Sequence, residues 1–208
     1  MILTDLLDYA SVLVFAITGA LVASRAQLDL VGFGFIACLT ALGGGTLRDL
    51  LLDRNPIFWI ANPAYLGVAA AAALVVFFTA HLLESRYRTL IWLDSFALAV
   101  AVAAGAGVAF SLDQSPVIVV LMGMITGCMG GLMRDVVVGE VPLVLKQGEL
   151  YVTAAFAGAA TAVVLRIFFL NDDAIALFAG ACVTWVLRAG SLYFGWNLPV
   201  YKGRPPRV

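Results

Sequence analysis

At 208 residues, 63% hydrophobic and only 12% charged, the chain carries about half the charge of a soluble domain, where roughly 25% is usual. A formal net charge of −1 gives no case for a nucleic-acid partner. A mean hydropathy of +1.03 makes lipid the expected solvent.

Apolar runs of the length that spans a bilayer, about 20 residues, are predicted near 6–24, 31–52, 63–83, 91–110, 116–138, 148–170 and 174–195. The first is expected to be a retained helix rather than a secretory signal, because Met1 to Asp8 holds Asp5 and Asp8 but no Lys or Arg. Ordinary punctuation separates the runs: Arg25 to Asp29, Asn55-Pro56, Asn62-Pro63, Glu84 to Arg88, Asp113 to Pro116, Lys146 to Glu149 and Asn171 to Asp173. Barrel strands would be about ten residues with alternating character, which these are not. The fold class expected is therefore an all-α integral membrane protein, with a short basic tail at 196–208.

Single residues read plainly. Cys38, Cys128 and Cys182 lie within apolar runs at spacings that fit no metal site. His81 closes the third run beside Glu84 and Arg86, as an interfacial polar residue. Arg188, about two turns from the end of the seventh run, is expected to snorkel to the headgroups. Trp59, Trp92, Trp185 and Trp196 lie near run ends, where an aromatic belt belongs. Gly32-Phe33-Gly34 resembles part of a dinucleotide fingerprint but has no strand–turn–helix unit around it. No catalytic constellation emerges, so neither an enzyme, a cofactor nor a resident metal is expected.

Loop charge predicts orientation. Arg25, Arg86, Arg88, Lys146 and the tail's Lys202, Arg204 and Arg207 share one side. Arg54 lies on the other with Asp113, Asp172 and Asp173, and Arg166 stands near a helix end. The positive-inside rule then expects the N-terminus outside and the C-terminus in the cytoplasm.

One segment is written twice. Gly43-Gly44-Gly45-Thr46-Leu47-Arg48-Asp49 returns 86 positions later as Met129-Gly130-Gly131-Leu132-Met133-Arg134-Asp135. The same offset aligns Asp8 with Asp94, Gly19 with Gly105, Thr40 with Thr126, Pro56 with Pro142 and Tyr65 with Tyr151. Each copy holds three runs, an odd number, so the second must enter the membrane from the opposite face. The expected layout is 3+3+1: repeats over 5–84 and 91–170, then a seventh helix at 174–195.

Ala37, Ala41 and Gly45, and their counterparts Gly123, Gly127 and Gly131, form ladders spaced by four that let another helix approach closely. Adjacent glycines go further. Each interior glycine costs a helix up to about 1 kcal/mol relative to alanine. Gly43–Gly45 and Gly130–Gly131 are therefore expected to bend or unwind runs two and five. Opened carbonyls at that depth are tolerated only in protein or beside water, and can substitute for the hydration of a cation.

Arg48-Asp49 and Arg134-Asp135 follow the glycines. A charge near the bilayer centre costs at least about 2.5–3.5 kcal/mol and rarely faces lipid. Two readings remain open and compatible: the arginines hold carbonyls freed by the kink while the acids balance them, or these groups line or gate a path. Asp8 and Asp94 read as helix-start carboxylates favoured by the dipole, or as a vestibule that concentrates cations. Thr40, Thr46 and Thr126 could offer hydroxyls to an ion or bond their own helix backbone.

With these residues in view, the chain resembles the bacterial branch of the trimeric intracellular cation (TRIC) channel family. The resemblance rests on the paired Gly-Gly-x-x-Arg-Asp helices and covers essentially the full length. It implies a homotrimer with a pore in each protomer, lined by the second and fifth spans, and permeation of K⁺ and Na⁺ in an inner membrane. Met129 departs from the glycine pattern, so unequal kinks are expected. Some relatives have been regarded as carriers of small amino acids, particularly glycine. That is the alternative, since half-helix N-termini can hold a carboxylate.

Overall fold

The computed structural model describes residues 2–82, 86–146, 149–168 and 172–199. Glu84 and the tail's Lys202, Arg204 and Arg207 lie outside the described residues. Eight α-helices are found among those described: α1 (Ile2–Arg25), α2 (Leu30–Leu51), α3 (Phe58–Ala61), α4 (Ala64–Thr79), α5 (Arg86–Ser111), α6 (Pro116–Val138), α7 (Val152–Phe168) and α8 (Asp173–Phe194). By length and composition, six can cross a membrane: α1, α2, α5, α6, α8, and α4 with the 3₁₀ turn Ala80–Leu82 that extends it. α7 is apolar but shorter.

Local chemistry sets the ends. Asp29 caps α2 by accepting from the Gly32 amide at 2.7 Å, and Asp172 caps α8 through the Ala174 amide at 2.8 Å. Pro116 opens α6 at a position whose amide would be unsatisfied anyway. Gly139 (φ 78°) and Gly195 (φ 70°) close α6 and α8 in the left-handed conformation that favours glycine. α7 starts later than the run predicted from 148, because the segment before it is engaged elsewhere. The Leu150 amide donates to Ser191 Oγ at 2.9 Å, and Glu149 takes an arginine from α8. The short α3 was not expected. Its first amide, Phe58 N–H, donates to Asp49 Oδ2 at 2.9 Å.

α5 is the centre of the bundle and packs against α1, α6, α7 and α8. Its stretch from Ala97 to Ala109 is mostly alanine and glycine and is wholly buried except at Val100, which lets neighbours close in from several sides. The exterior carries exposed apolar side chains, among them Val31, Phe35, Phe78, Phe156 and Phe178. That surface needs an apolar surrounding.

The glycine runs do not unwind. α2 and α6 are continuous α-helix through Gly43–Gly45 and Gly130–Gly131, and neither run adopts a positive φ. The expected stretch of opened carbonyls is therefore corrected. The reason is steric: these glycines make room for a neighbouring helix, so the helical backbone is kept.

Candidate functional site

α2 and α6 cross where glycine meets carbonyl. A methyl group on Gly44 would lie 2.3 Å from the Thr126 carbonyl oxygen, and one on Gly130 would lie 2.3 Å from that of Thr40. The two contacts exchange under the 86-residue offset. Gly19 and Gly105 are related likewise: a methyl on either would fall within 2.6 Å of a threonine hydroxyl, Thr40 for the first and Thr126 for the second. Gly43 gives room to the Met133 thioether, whereas its counterpart is Met129, so the symmetry fails at that one step. Gly127 of the ladder faces Leu98 and Val102 of α5, while Gly45 and Gly131 face Phe58 and the Tyr151 hydroxyl. Gly131 is the roomiest of these, with its nearest neighbour at 3.4 Å.

Beyond the crossing on either side lies a buried ion cluster. Arg48 is fully buried and donates to Asp8 Oδ1 at 2.8 Å, Asp8 Oδ2 at 3.3 Å and Asp49 Oδ1 at 2.8 Å. Arg134, equally buried, donates to Asp94 Oδ1 at 2.9 Å, Asp135 Oδ1 at 2.7 Å and Thr18 Oγ1 at 3.1 Å. Each guanidinium is thus held by its sequence neighbour and by an acid 40 positions earlier. Burying a lone charge is expensive, and pairing with further hydrogen bonds offsets that cost.

The free oxygens of the neighbouring acids fix the chain beyond each helix. Asp49 accepts from the Phe58 amide, and Asp135 accepts from the Leu143 amide at 2.9 Å. Asp8 and Asp94 are therefore not helix-start carboxylates. Asp94 lies two turns inside α5 and is completely enclosed. A vestibule surface role does not fit that burial.

The two clusters differ in their surroundings. Arg54 Nη1 stands 3.6 Å from Asp49 Oδ1, which brings a second cation to the first cluster. The residue 86 positions on is Glu140, an acid. It pairs with Arg25 at 3.1 Å, joining the loop after α6 to the end of α1. Together with Asp135, Tyr87 and Lys146 these residues line a polar cavity of about 400 Å³. Lys146 donates to the Tyr87 hydroxyl, and that hydrogen bond raises the lysine pKa, with Glu149 adding to the effect. Beside the crossing itself, Asp8, Ser11, Thr40, Gly44 and Thr126 line an enclosed space of only about 10 Å³. That is close to the volume of a single water probe.

Comparison with known proteins follows this geometry. The family model described as Glycine transporter matches twice, at residues 5–81 and 91–167, with the same offset of 86. The UPF0126 inner membrane protein YadS of Escherichia coli is 35% identical over 199 residues, covering 94% of both chains. The TRIC trimeric intracellular cation channel orthologue from Rhodobacter sphaeroides superposes with a TM-score of 0.90 at 42% identity, covering 94% of this chain and all of that one. The chain belongs to the bacterial TRIC family. A second TRIC structure, solved to explain conductance through these cation channels, aligns with a TM-score of 0.85 at 30% identity, covering 97% of this chain and 98% of its own.

Within this TRIC family chain, the threonines take the plainer of their two roles. Thr40 donates to Ile36 O at 2.6 Å, Thr126 to Met122 O at 2.7 Å and Thr46 to Leu42 O at 2.7 Å. Thr46 Oγ1 also accepts from Trp59 Nε1 at 2.9 Å.

Arg188 does not snorkel. It is fully buried, donates to Glu149 Oε2 at 2.7 Å and lies 4.8 Å from the centre of the Tyr151 ring. Its partner comes from the loop after α6, which removes the need to reach the headgroups.

Four residues take roles that were not read from the sequence. Tyr151 donates to Asp94 Oδ2 at 2.8 Å, Thr18 supports Arg134 from α1, and Arg54 and Glu140 reverse charge at matched positions. The alignment of Tyr65 with Tyr151 was the available signal for the first. Tyr65 instead stacks on Tyr9 at 4.0 Å.

Proposed function

We propose that this chain is a monovalent cation (K⁺/Na⁺) channel of the bacterial inner membrane, assembled as a homotrimer with a path through each protomer. In this reading residues 5–84 and 91–170 form inverted three-helix repeats and 174–195 is a seventh membrane helix, with the N-terminus outside. The path runs along the α2–α6 crossing, which bends at Gly44 and Gly130 when it opens. The narrow space beside Thr40 and Thr126 then corresponds to a closed state.

The observation that carries the proposal is the pairing of each buried arginine with two carboxylates. A bare guanidinium in a low-dielectric path would repel a cation strongly. At the Arg134 cluster one guanidinium against two acids leaves a local excess of negative charge, which favours cations over anions, while at the Arg48 cluster Arg54 offsets that excess. The similarity to the R. sphaeroides orthologue supports the same reading.

The test is planar-bilayer recording of the purified protein in asymmetric KCl. Unitary steps reversing near the K⁺ potential are expected. Saturable uptake of labelled glycine by matching liposomes, with no unitary steps, would replace the channel with a carrier.

A further inference from the structure

The two ion clusters are built from matched residues, yet they close differently. Arg48 directs both terminal nitrogens at Asp8, Nη1 to Oδ1 at 2.8 Å and Nη2 to Oδ2 at 3.3 Å. In the second cluster Arg134 Nη1 donates to Asp94 Oδ1, but Oδ2 accepts from the Tyr151 hydroxyl instead. Arg134 Nη2 is buried and has no hydrogen-bond partner among the described residues. A tyrosine thus holds the oxygen that symmetry would assign to the arginine.

The space beside that nitrogen differs as well. Gly45 is covered by Phe58, whose ring a methyl would approach within 2.6 Å, and the ring centre lies 5.4 Å from the Arg48 guanidinium. At the counterpart Gly131 a methyl would stand 3.4 Å from the Tyr151 hydroxyl and 3.6 Å from both Arg134 Nη2 and Asp94 Oδ1. The residue matched to Phe58 is Val144, a smaller side chain. The second guanidinium therefore has room on the side of its unpaired nitrogen, whereas the first is walled in.

Helix α8 supplies the hold on Tyr151, through three consecutive residues. Glu149 accepts from Arg188 Nη2 at 2.7 Å, the Leu150 amide donates to Ser191 Oγ at 2.9 Å, and Tyr151 reaches Asp94. Arg188 also lies 4.8 Å from the Tyr151 ring centre, and Ser191 donates onward to the Trp196 carbonyl at 2.9 Å. On its outer side Glu149 Oε1 stands 3.5 Å from Lys146, which lines the polar cavity. The clasp therefore runs from that cavity to a buried arginine. In the first half the positions matched to Glu149, Leu150 and Tyr151 are Pro63, Ala64 and Tyr65, and Tyr65 stacks on Tyr9. Those matched to Arg188 and Ser191 are Val102 and Gly105, whose side chains can make neither bond.

We propose that Arg188, Glu149 and Ser191 are positioning residues that hold Tyr151 on Asp94, and that the second cluster is the one that changes state during conduction. This rests on the channel reading given under Proposed function and identifies its moving part. With the clasp closed, Arg134 is kept from Asp94 Oδ2. When the 149–151 segment draws back with the tyrosine ring, Nη2 swings through the space at Gly131 and pairs with Oδ2. That reproduces the arrangement already present at Arg48 and Asp8. The two states exchange one hydrogen bond for another, so a small bias decides between them. The guanidinium keeps its carboxylates throughout, so no bare charge appears in the path. The clasped state belongs to the narrow, closed crossing, and release belongs to the open one.

Carbon-13 NMR of the tyrosine Cζ atoms and planar-bilayer recording test this together. The Cζ signal reports whether the hydroxyl donates, and the Tyr151 signal is the one absent from Tyr151→Phe. Arg188→Met with Glu149→Gln removes the clasping ion pair whole and leaves neither partner as an unpaired charge. Ser191→Ala removes only a hydroxyl and serves where the double variant does not fold. Both are expected to move the Tyr151 signal away from its hydrogen-bonded position. Open probability is expected to rise roughly fivefold, the effect of about one hydrogen bond. Adding Gly131→Ala to Ser191→Ala is expected to cancel that rise while the Tyr151 signal stays shifted, because the methyl takes the space that Arg134 needs. A loop with a merely structural role would not respond in that way.

A Tyr151 signal that keeps its wild-type position in both clasp variants overturns the proposal. So does a shifted signal with unchanged open probability, or a rise that persists with Gly131→Ala. A wild-type protein that gives no unitary steps fails the channel reading instead, and the tyrosine signal, which needs no current, still decides the clasp.

Discussion

Gly44 lies against the Thr126 carbonyl so closely that an added methyl would come within 2.3 Å of the oxygen, and Gly130 stands in the same relation to Thr40. The obstacle in both cases is backbone, which cannot step aside as a flexible side chain can. Gly44→Ala and Gly130→Ala are therefore expected to force α2 and α6 apart, at about 1–3 kcal/mol each, typical of overpacking. Gly34→Ala is the control: that glycine has open space around it, and the change is expected to be neutral or slightly stabilising. Gly131→Ala, whose nearest neighbour is the Tyr151 hydroxyl at 3.4 Å, is expected to be tolerated. Thermal melting in detergent reads all four. Equal midpoints across the set would remove the close crossing as a stability determinant.

The buried clusters predict an asymmetry between breaking a pair and deleting it. Arg48→Met leaves Asp8 and Asp49 enclosed without their cation, a loss of about 3–5 kcal/mol for a buried pair. Arg134→Met is expected to cost as much, because Asp94 is equally enclosed. Replacing the acid as well, in Arg48→Met with Asp8→Asn, is expected to recover part of the loss. Residues in direct contact behave non-additively in such a cycle. Melting midpoints of the two single variants and the double variant measure the coupling. A double variant no better than additive would mean that the pair is not coupled in the folded protein.

What the sequence made legible and what it hid divide along physical lines. The helical runs, the offset of 86 and the paired Arg-Asp steps could be read because hydropathy and repetition are properties of the chain itself. The distant partners of Arg48 and Arg134 could not. Asp8 and Asp94 lie 40 positions upstream on other helices, and no periodicity within one helix reports such a contact. Gly43–Gly45 advertised missing side chains, but whether a helix breaks or a neighbour moves in depends on what stands opposite. Here it is the Thr126 carbonyl, and the helix stays whole. Arg188 was misjudged for the same reason, since its acceptor Glu149 belongs to a loop rather than to a membrane run.

Tyr151 and Tyr65 occupy matched positions with different partners, so the same substitution is expected to have unequal effects. Tyr151→Phe removes a buried 2.8 Å hydrogen bond to Asp94 and leaves a carboxylate oxygen short of a donor, at about 1–3 kcal/mol. Tyr65→Phe keeps the rings that stack on Tyr9 and meet Phe58 edge-on, and is expected to cost less. Side-by-side melts decide it, and a Tyr65→Phe loss equal to that of Tyr151→Phe would contradict the assignment.

Charge reversal between Arg54 and Glu140 is expected to shape conduction at the two mouths with opposite sign. Glu140 adds negative charge beside Asp135 in the polar cavity, while Arg54 offsets Asp49 at the other cluster. Glu140→Gln is expected to lower cation entry from the side of that cavity. It also leaves Arg25 without its 3.1 Å partner, which adds to the repulsion. Arg54→Gln uncovers Asp49 and is expected to raise entry from the opposite side, so both variants should bend the current–voltage curve in the same direction, the first by lowering one limb and the second by raising the other. Both groups are partly exposed, so salt should screen the effect: the Debye length falls from about 10 Å at 0.1 M to about 3 Å at 1 M. Bilayer recordings of each variant at those two KCl concentrations measure the rectification. Curvature that persists unchanged at 1 M would mean that the substitutions act by altering the shape of the path rather than its field.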